Sequence, residues 1–124
     1  MKKAVVLLAF MATTGVAWAG STKPTDISVD DQDIRSTTGG SFAYALGRIE
    51  SPKQGCVEGR KVKFAVVYLN SGEKDLFDVD VTDDDGGFAG YGRVKAEPID
   101  RIQVKVPKAR AGKSVCASAV ANSD

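Results

Sequence analysis

The sequence predicts an all-β fold, a single sandwich of about seven short antiparallel strands with one disulfide; a small barrel is the alternative arrangement. Three observations carry this expectation. Apolar residues recur with period two in several short segments, such as Ile102, Val104 and Val106. Turn-forming residues return roughly every eight to twelve positions. After residue 19 no segment carries an apolar i, i+3, i+4, i+7 stripe of the kind an amphipathic helix needs.

The chain opens with Met1, Lys2 and Lys3, then an apolar run from Ala4 to Ala12 that is too short to span a bilayer. Ala17-Trp18-Ala19 places small residues where a signal peptidase reads them. Residues 1–19 therefore read as a signal peptide cleaved before Gly20, and the product as secreted or periplasmic; an uncleaved membrane anchor is the alternative. Cleavage removes Lys2, Lys3 and the single tryptophan, Trp18, which turns 17 basic against 16 acidic residues into a net charge of −1. A nearly neutral chain makes a poor ligand for nucleic acid or for a membrane surface, and no stable membrane insertion is expected after cleavage.

Residues 20–40 are rich in Ser, Thr, Asp and Gly and read as a flexible leader, with a short strand possible at Asp26 to Val29. The sandwich is expected over residues 41–121, with 122–124 as a tail. In its first strand Phe42, Tyr44 and Leu46 alternate with Ala43 and Ala45, and Gly47 throws Ile49 out of phase, which suggests a bulge. Ser51-Pro52 to Gly55 is a turn. Arg60 to Leu69 is a strand with Val62, Phe64, Val66 and Tyr68 on one face and Lys61, Lys63, Ala65, Val67 and Leu69 on the other. Asn70 to Glu73 turns. In the strand Asp75 to Thr82, Phe77, Val79 and Val81 point one way and Asp78 and Asp80 the other. Asp83 to Gly87 breaks the chain, Phe88 to Val94 is a glycine-spaced strand, and Glu97-Pro98 breaks it again. Ile102 to Val106 is the cleanest half-buried strand, Pro107 to Gly112 turns, and Ser114 to Val120 closes the domain.

Cys56 and Cys116 are the only cysteines, so an exported chain allows one intramolecular disulfide. Closing a loop of about sixty residues stabilises by about 4 kcal/mol in the chain-entropy model. Two thiolates without a histidine make a poor zinc site.

The order Gly47-Arg48-Ile49, Cys56, Gly59-Arg60-Lys61-Val62, Thr82-Asp83-Asp84-Asp85-Gly86-Gly87-Phe88, the Ile102-Val104-Val106 alternation and Cys116 resembles the secreted, disulfide-tied members of the transthyretin-like (carboxypeptidase regulatory-like) group of Ig-like β-sandwiches. The resemblance spans roughly residues 42–120 and rests on short motifs, a Thr-Asp turn ahead of glycine and an aromatic foremost. It departs from that pattern by an extra Asp before Gly86, or by a second glycine in a polar position. It implies a seven-strand sandwich used as a spacer, adhesion or accessory module. The group's enzymatic relatives, the hydroxyisourate hydrolases, depend on histidines, which this chain lacks.

The absence of histidine also removes the usual general base near neutral pH and the Ser-His-Asp and Cys-His arrangements, so the chain is not expected to be an enzyme and needs no cofactor. Asp78, Asp80, Asp83, Asp84 and Asp85 are the best alternative site, for calcium or another small ligand. EF-hand spacing fails, because placing Gly86 or Gly87 at the invariant glycine makes Val81 or Thr82 the first ligand. The simpler reading is a solvated turn whose strand carboxylates pair with Arg93, Lys95, Arg101 and Lys105. A basic face on those later strands is diluted by Glu97 and Asp100. Gly86 to Gly92 lacks the following helix of a phosphate cradle and reads as a sandwich corner. Tyr44 and Tyr91 are the remaining candidates for stacking on sugars, and read more simply as core or rim. An isopeptide link through Asn122 is discounted because Asn122 falls in the tail. The expected function is a secreted, non-enzymatic module with a structural or protein-binding role, its partner an unspecified protein or surface.

Overall fold

The computed structural model describes residues 22–123 and is all-β. Its strands are β1 (Thr22–Lys23), β2 (Asp26–Thr37), β3 (Gly40–Glu50), β4 (Lys61–Tyr68), β5 (Lys74–Val81), β6 (Gly87–Val94), β7 (Ile99–Val106), β8 (Ala109–Ala111), β9 (Ser114–Cys116) and β10 (Ala119–Asn122), with one 3-10 turn at Gln54–Cys56. They form a three-stranded sheet β2-β3-β6, a four-stranded sheet β10-β7-β4-β5, and a small sheet β1-β9-β8. All described pairings are antiparallel except β1 with β9. The proposed signal segment, residues 1–19, lies outside the described residues.

The two larger sheets share one core. Val62, Phe64, Val66 and Tyr68 of β4 and Ile102, Val104 and Val106 of β7 meet Ala43, Ala45 and Ile49 of β3 and Phe88 and Val94 of β6. The layers are complementary in size. The four-stranded sheet projects the large rings of Phe64 and Phe77, with centroids 6.0 Å apart. The facing sheet answers with alanines and with Gly90 and Gly92. A Cβ on Gly90 would sit 2.4 Å from the Phe64 ring, and one on Gly92 would sit 2.2 Å from the Phe77 carbonyl oxygen. Large side chains on one layer thus require near-bare backbone on the other.

One end of the sandwich is tied covalently. Cys56 and Cys116 are bonded, with Cα atoms 5.4 Å apart, joining the 3-10 turn to β9. Arg60, 2% exposed, sits beside this tie. Its guanidinium donates to Thr25 Oγ1 (3.1 Å) and to the carbonyls of Cys56 (2.8 Å), Pro107 (2.9 Å) and Ala117 (3.0 Å). No carboxylate among the described residues lies within 4.0 Å of it, and its Nε has no partner. Burial pushes its pKa down from the ordinary arginine value. Four carbonyl and hydroxyl dipoles therefore stand in for a counter-ion and hold four separate chain segments together.

Several expectations need correction. Residues 20–40 are not a leader over their described part: Asp26–Thr37 is a twelve-residue strand paired along β3. The folded domain begins by Thr22 rather than at 41. Asn122 is paired in β10, and Ser123 exchanges hydrogen bonds with Ile102, so this part of the tail also belongs to the fold. Gly47 does not break the phase of β3; Ala43, Ala45, Gly47 and Ile49 all face the core, and the bulge lies on the partner strand at Asp30. The last strand is two, β9 and β10, which pair with different sheets.

The most consequential correction concerns β5. A register shift between Phe64 and Ala65 leaves Phe77 as an extra residue. Phe77 and Asp78 then share the inner side, and Asp80 follows them. Val79 and Val81 turn outward, 43% and 58% exposed. The inward carboxylates reach the neighbouring sheet: Asp80 Oδ2 accepts from the Ala89 amide (2.9 Å) and Asp78 Oδ2 from the Tyr91 amide (2.9 Å). Side chains here replace a strand ladder and join the edges of the two sheets.

Candidate binding face

The size-matching of the core decides what the outside of β2-β3-β6 displays. Because Ala43 and Ala45 must face in, period-two alternation forces Phe42, Tyr44 and Leu46 out. In-register pairing sets them in rows. Arg35, Phe42 and Arg93 form one row, Asp33, Tyr44 and Tyr91 the next, and Asp31, Leu46 and Ala89 the third. Tyr91 is 61% exposed and Leu46 is 40% exposed.

These side chains hold one another in place. The Phe42 and Tyr91 rings stack at 5.6 Å with 5° between their planes. The Arg93 guanidinium lies 5.0 Å from the Phe42 ring centre while Nη1 donates to the Gly39 carbonyl (2.7 Å). On the other side Arg35 sits 5.7 Å over Tyr44, whose hydroxyl donates to Asp31 (3.2 Å). The result is a flat surface of aromatic rings and guanidinium groups with few rotamers left to lose on binding. Such a surface offers stacking area, hydrogen-bond donors and an aliphatic contact at Leu46.

Elsewhere the structure distributes the residues singled out from sequence. Cys56 and Cys116 form the disulfide. The five aspartates do not form one site. Asp83, Asp84 and Asp85 bring carboxylate oxygens within 4.8 Å of one another, but Asp78 and Asp80 stand on β5 bonded to β6 amides. Asp83 Oδ1 accepts from the amides of Asp85 (2.9 Å) and Gly87 (2.8 Å), which builds the turn itself. Gly86 takes the left-handed conformation there (φ +83°), where a Cβ would also strike the Ile49 carbonyl at 2.3 Å. Thr82, ahead of the turn, is buried and donates to the Val57 carbonyl (2.6 Å) while accepting from the Arg60 amide (2.8 Å).

The expected pairing of Asp78 and Asp80 with cations across the sheet is therefore replaced by bonds to backbone. Of the cations named for that role, Lys95 pairs with Glu73 at 3.0 Å, which raises its pKa, and Arg101 pairs with Asp100. Tyr44 and Tyr91 are neither core nor isolated rim residues; they are neighbours on one open face. Sequence reasoning did not assign Phe42, Leu46, Arg35 or Arg93 to that face. The signal was present in Gly90 and Gly92, which mark the inner side of β6 and hence the outer side of its partner. No family model matches this chain, and neither does any curated protein or solved structure at a significant level.

Proposed function

We propose that this chain is a non-enzymatic, disulfide-tied β-sandwich module that acts outside the reducing cytoplasm and binds a protein partner through the outer face of β2-β3-β6. One observation carries the reading: the middle of this sheet buries Ala43, Ala45 and Gly90 and turns the half-exposed Phe42 and Tyr44 and the exposed Leu46 and Tyr91 to the outside. Soluble domains rarely leave a contiguous aromatic patch open without a use for it. Tyrosine and arginine are the residue types that dominate protein-binding energetics, and here they are already ordered by stacking. A buried disulfide supports an oxidising compartment and with it the export reading of residues 1–19. No described helix is long and apolar enough to cross a membrane. The transthyretin-like assignment belongs to the same proposal, supported by the Thr82-Asp83 turn that connects β5 to β6.

A photo-crosslinking residue at position 91, compared with one at position 110 on the small sheet, tests this in the native compartment. The expected result is a discrete adduct from position 91 alone, competed by added wild-type protein but not by the Y91A/R93A variant. Equal adducts from both positions, or equal competition by the variant, would end the proposal.

A further inference from the structure

The opposite outer face, on the four-stranded sheet, has a different chemistry. Lys61 and Lys63 of β4, Lys74 of β5 and Lys105 of β7 all point out and are exposed. Lys63 and Lys105 are directly opposite in the register of β4 and β7. Like charges in that position destabilise a sheet. Among the described residues no carboxylate lies within 4.0 Å of any of the four ammonium groups. The nearest acids on β5 are turned away: Asp75, Asp78 and Asp80 are in register with the buried Val66, Phe64 and Val62. Lys63, Lys74 and Lys105 border an open hollow of about 190 Å³ floored by Ala65, Leu76 and Gln103.

Exposed aliphatic groups flank these cations. Val81 pairs with Lys61, Val79 with Lys63 and Val120 with Lys105, while Leu76 is opposite Ala65. All four are between 43% and 58% exposed. Nothing aromatic stands among them, which disfavours base stacking. Cations interleaved with short aliphatic chains match an anionic headgroup layer, where ammonium groups meet phosphates and aliphatic tips enter the headgroup–acyl boundary.

We propose that this face attaches the module peripherally to an anionic lipid bilayer. The attachment is independent of the aromatic face and needs no membrane-spanning element. The unrelieved Lys63–Lys105 repulsion is then a local cost that headgroup phosphates remove.

Flotation of the leader-free chain with vesicles tests it. The chain is expected to float with phosphatidylcholine–phosphatidylglycerol vesicles, not with pure phosphatidylcholine, and to detach as salt is raised. The K63Q/K105Q variant is expected to lose about thirtyfold in affinity, from the usual contribution of each lysine near an anionic surface. Its thermal midpoint should equal or exceed the parent's, because a repulsive pair is gone. V79S/V81S should weaken vesicle binding several-fold. Equal flotation with both lipid mixtures, or binding unchanged by K63Q/K105Q, would overturn the proposal. So would dextran sulfate binding through the same lysines with V79S/V81S without effect on vesicles, an outcome that assigns the face to a soluble polyanion.

Discussion

The outer faces of the two large sheets are built by the same alternation and end up chemically unlike. On β2-β3-β6 the inner positions that meet Phe64 and Phe77 are small, namely Ala43, Ala45, Gly90 and Gly92, so rings and guanidinium groups are displaced outward there. On β10-β7-β4-β5 the inner positions are large, and lysines with short aliphatics are left outside. The difference teaches that a strand's exposed side is set by what the facing layer can accommodate, not by which of its two residue sets is more hydrophobic. Net charge also hides this segregation. A chain near neutrality carries four unpaired lysines on one face and its aspartates elsewhere.

The comparison presupposes a sandwich held closed, so the largest expected effect comes from opening it. C56A/C116A removes the closure of a sixty-residue separation and should cost about 4 kcal/mol in urea unfolding, an upper-end figure for a loop of that size. Both outer faces should lose their binding together. A next, smaller break targets the size-matching alone. G90A would place a methyl group 2.4 Å from the Phe64 ring and should cost about 1–3 kcal/mol by overpacking, read as a lower midpoint at unchanged denaturant slope. A G90A variant as stable as the parent would mean that the two layers are not in contact as described.

Much of this was legible in the sequence, and the failures share a cause. Period two placed Val62, Phe64, Val66 and Tyr68 on one side of β4, and Ile102, Val104 and Val106 on one side of β7, because both strands are central in their sheet and one of their faces is uniformly apolar. It left the side of β3 open and put its irregularity at Gly47, and it grouped Phe77 with Val79 and Val81 in β5. In β3 both residue sets are apolar, so alternation alone does not choose a side; only contact with Phe64 and Phe77 does. In β5 one extra residue at Phe77 inverts every side chain after it, and no local signal marks such a bulge. The strand Asp26–Thr37 was hidden by its polarity, since it lies at the edge of its sheet with Asp and Ser on the outer side. Arg60 gave no signal, because three of its four acceptors, Thr25, Pro107 and Ala117, lie far from it in sequence.

The inverted half of β5 gives a sharper test of the same comparison. If Asp78 and Asp80 join the sheets, D78N and D80N should each destabilise by about 1–2 kcal/mol, the range for a hydrogen bond that loses its charge assistance. Any effect of calcium or chelator on the parent's midpoint should be the same in D78N and D80N, since Asp78 and Asp80 each already bond an amide of β6. A calcium-dependent rise in midpoint that D78N abolishes would return these residues to a metal site.

A further effect belongs to the inner side of the lysine-bearing sheet and is read through pH. Tyr68 is buried, and its hydroxyl donates to Asp75 (2.6 Å) and accepts from the Lys95 amide (2.9 Å). Burial first, then the Asp75 hydrogen bond, raises its pKa above the ordinary tyrosine value. The folded chain thus holds the proton more tightly than the unfolded chain. Its contribution to stability is complete below about pH 10, the ordinary tyrosine pKa, and declines as pH rises through the folded value. Y68F should be less stable at neutral pH by about 1 kcal/mol, having lost the hydrogen bond, and should show a flatter stability profile above pH 10. An identical alkaline slope in parent and variant would place the titration elsewhere.

The smallest thermodynamic effect is the most discriminating for function. Tyr91 is 61% exposed and its ring touches Phe42, so Y91S removes stacking but little burial. Its stability should change by no more than about 0.5–1 kcal/mol, the scale of an exposed aromatic pair. Binding through the aromatic face should fall sharply all the same, while vesicle flotation through the lysine face stays at the parent's level. The reverse holds for K63Q/K105Q. A double dissociation of this kind requires two independent surfaces. If Y91S instead weakens vesicle binding as much as K63Q/K105Q does, the two faces serve one ligand that wraps the sandwich, and the division drawn between them is wrong.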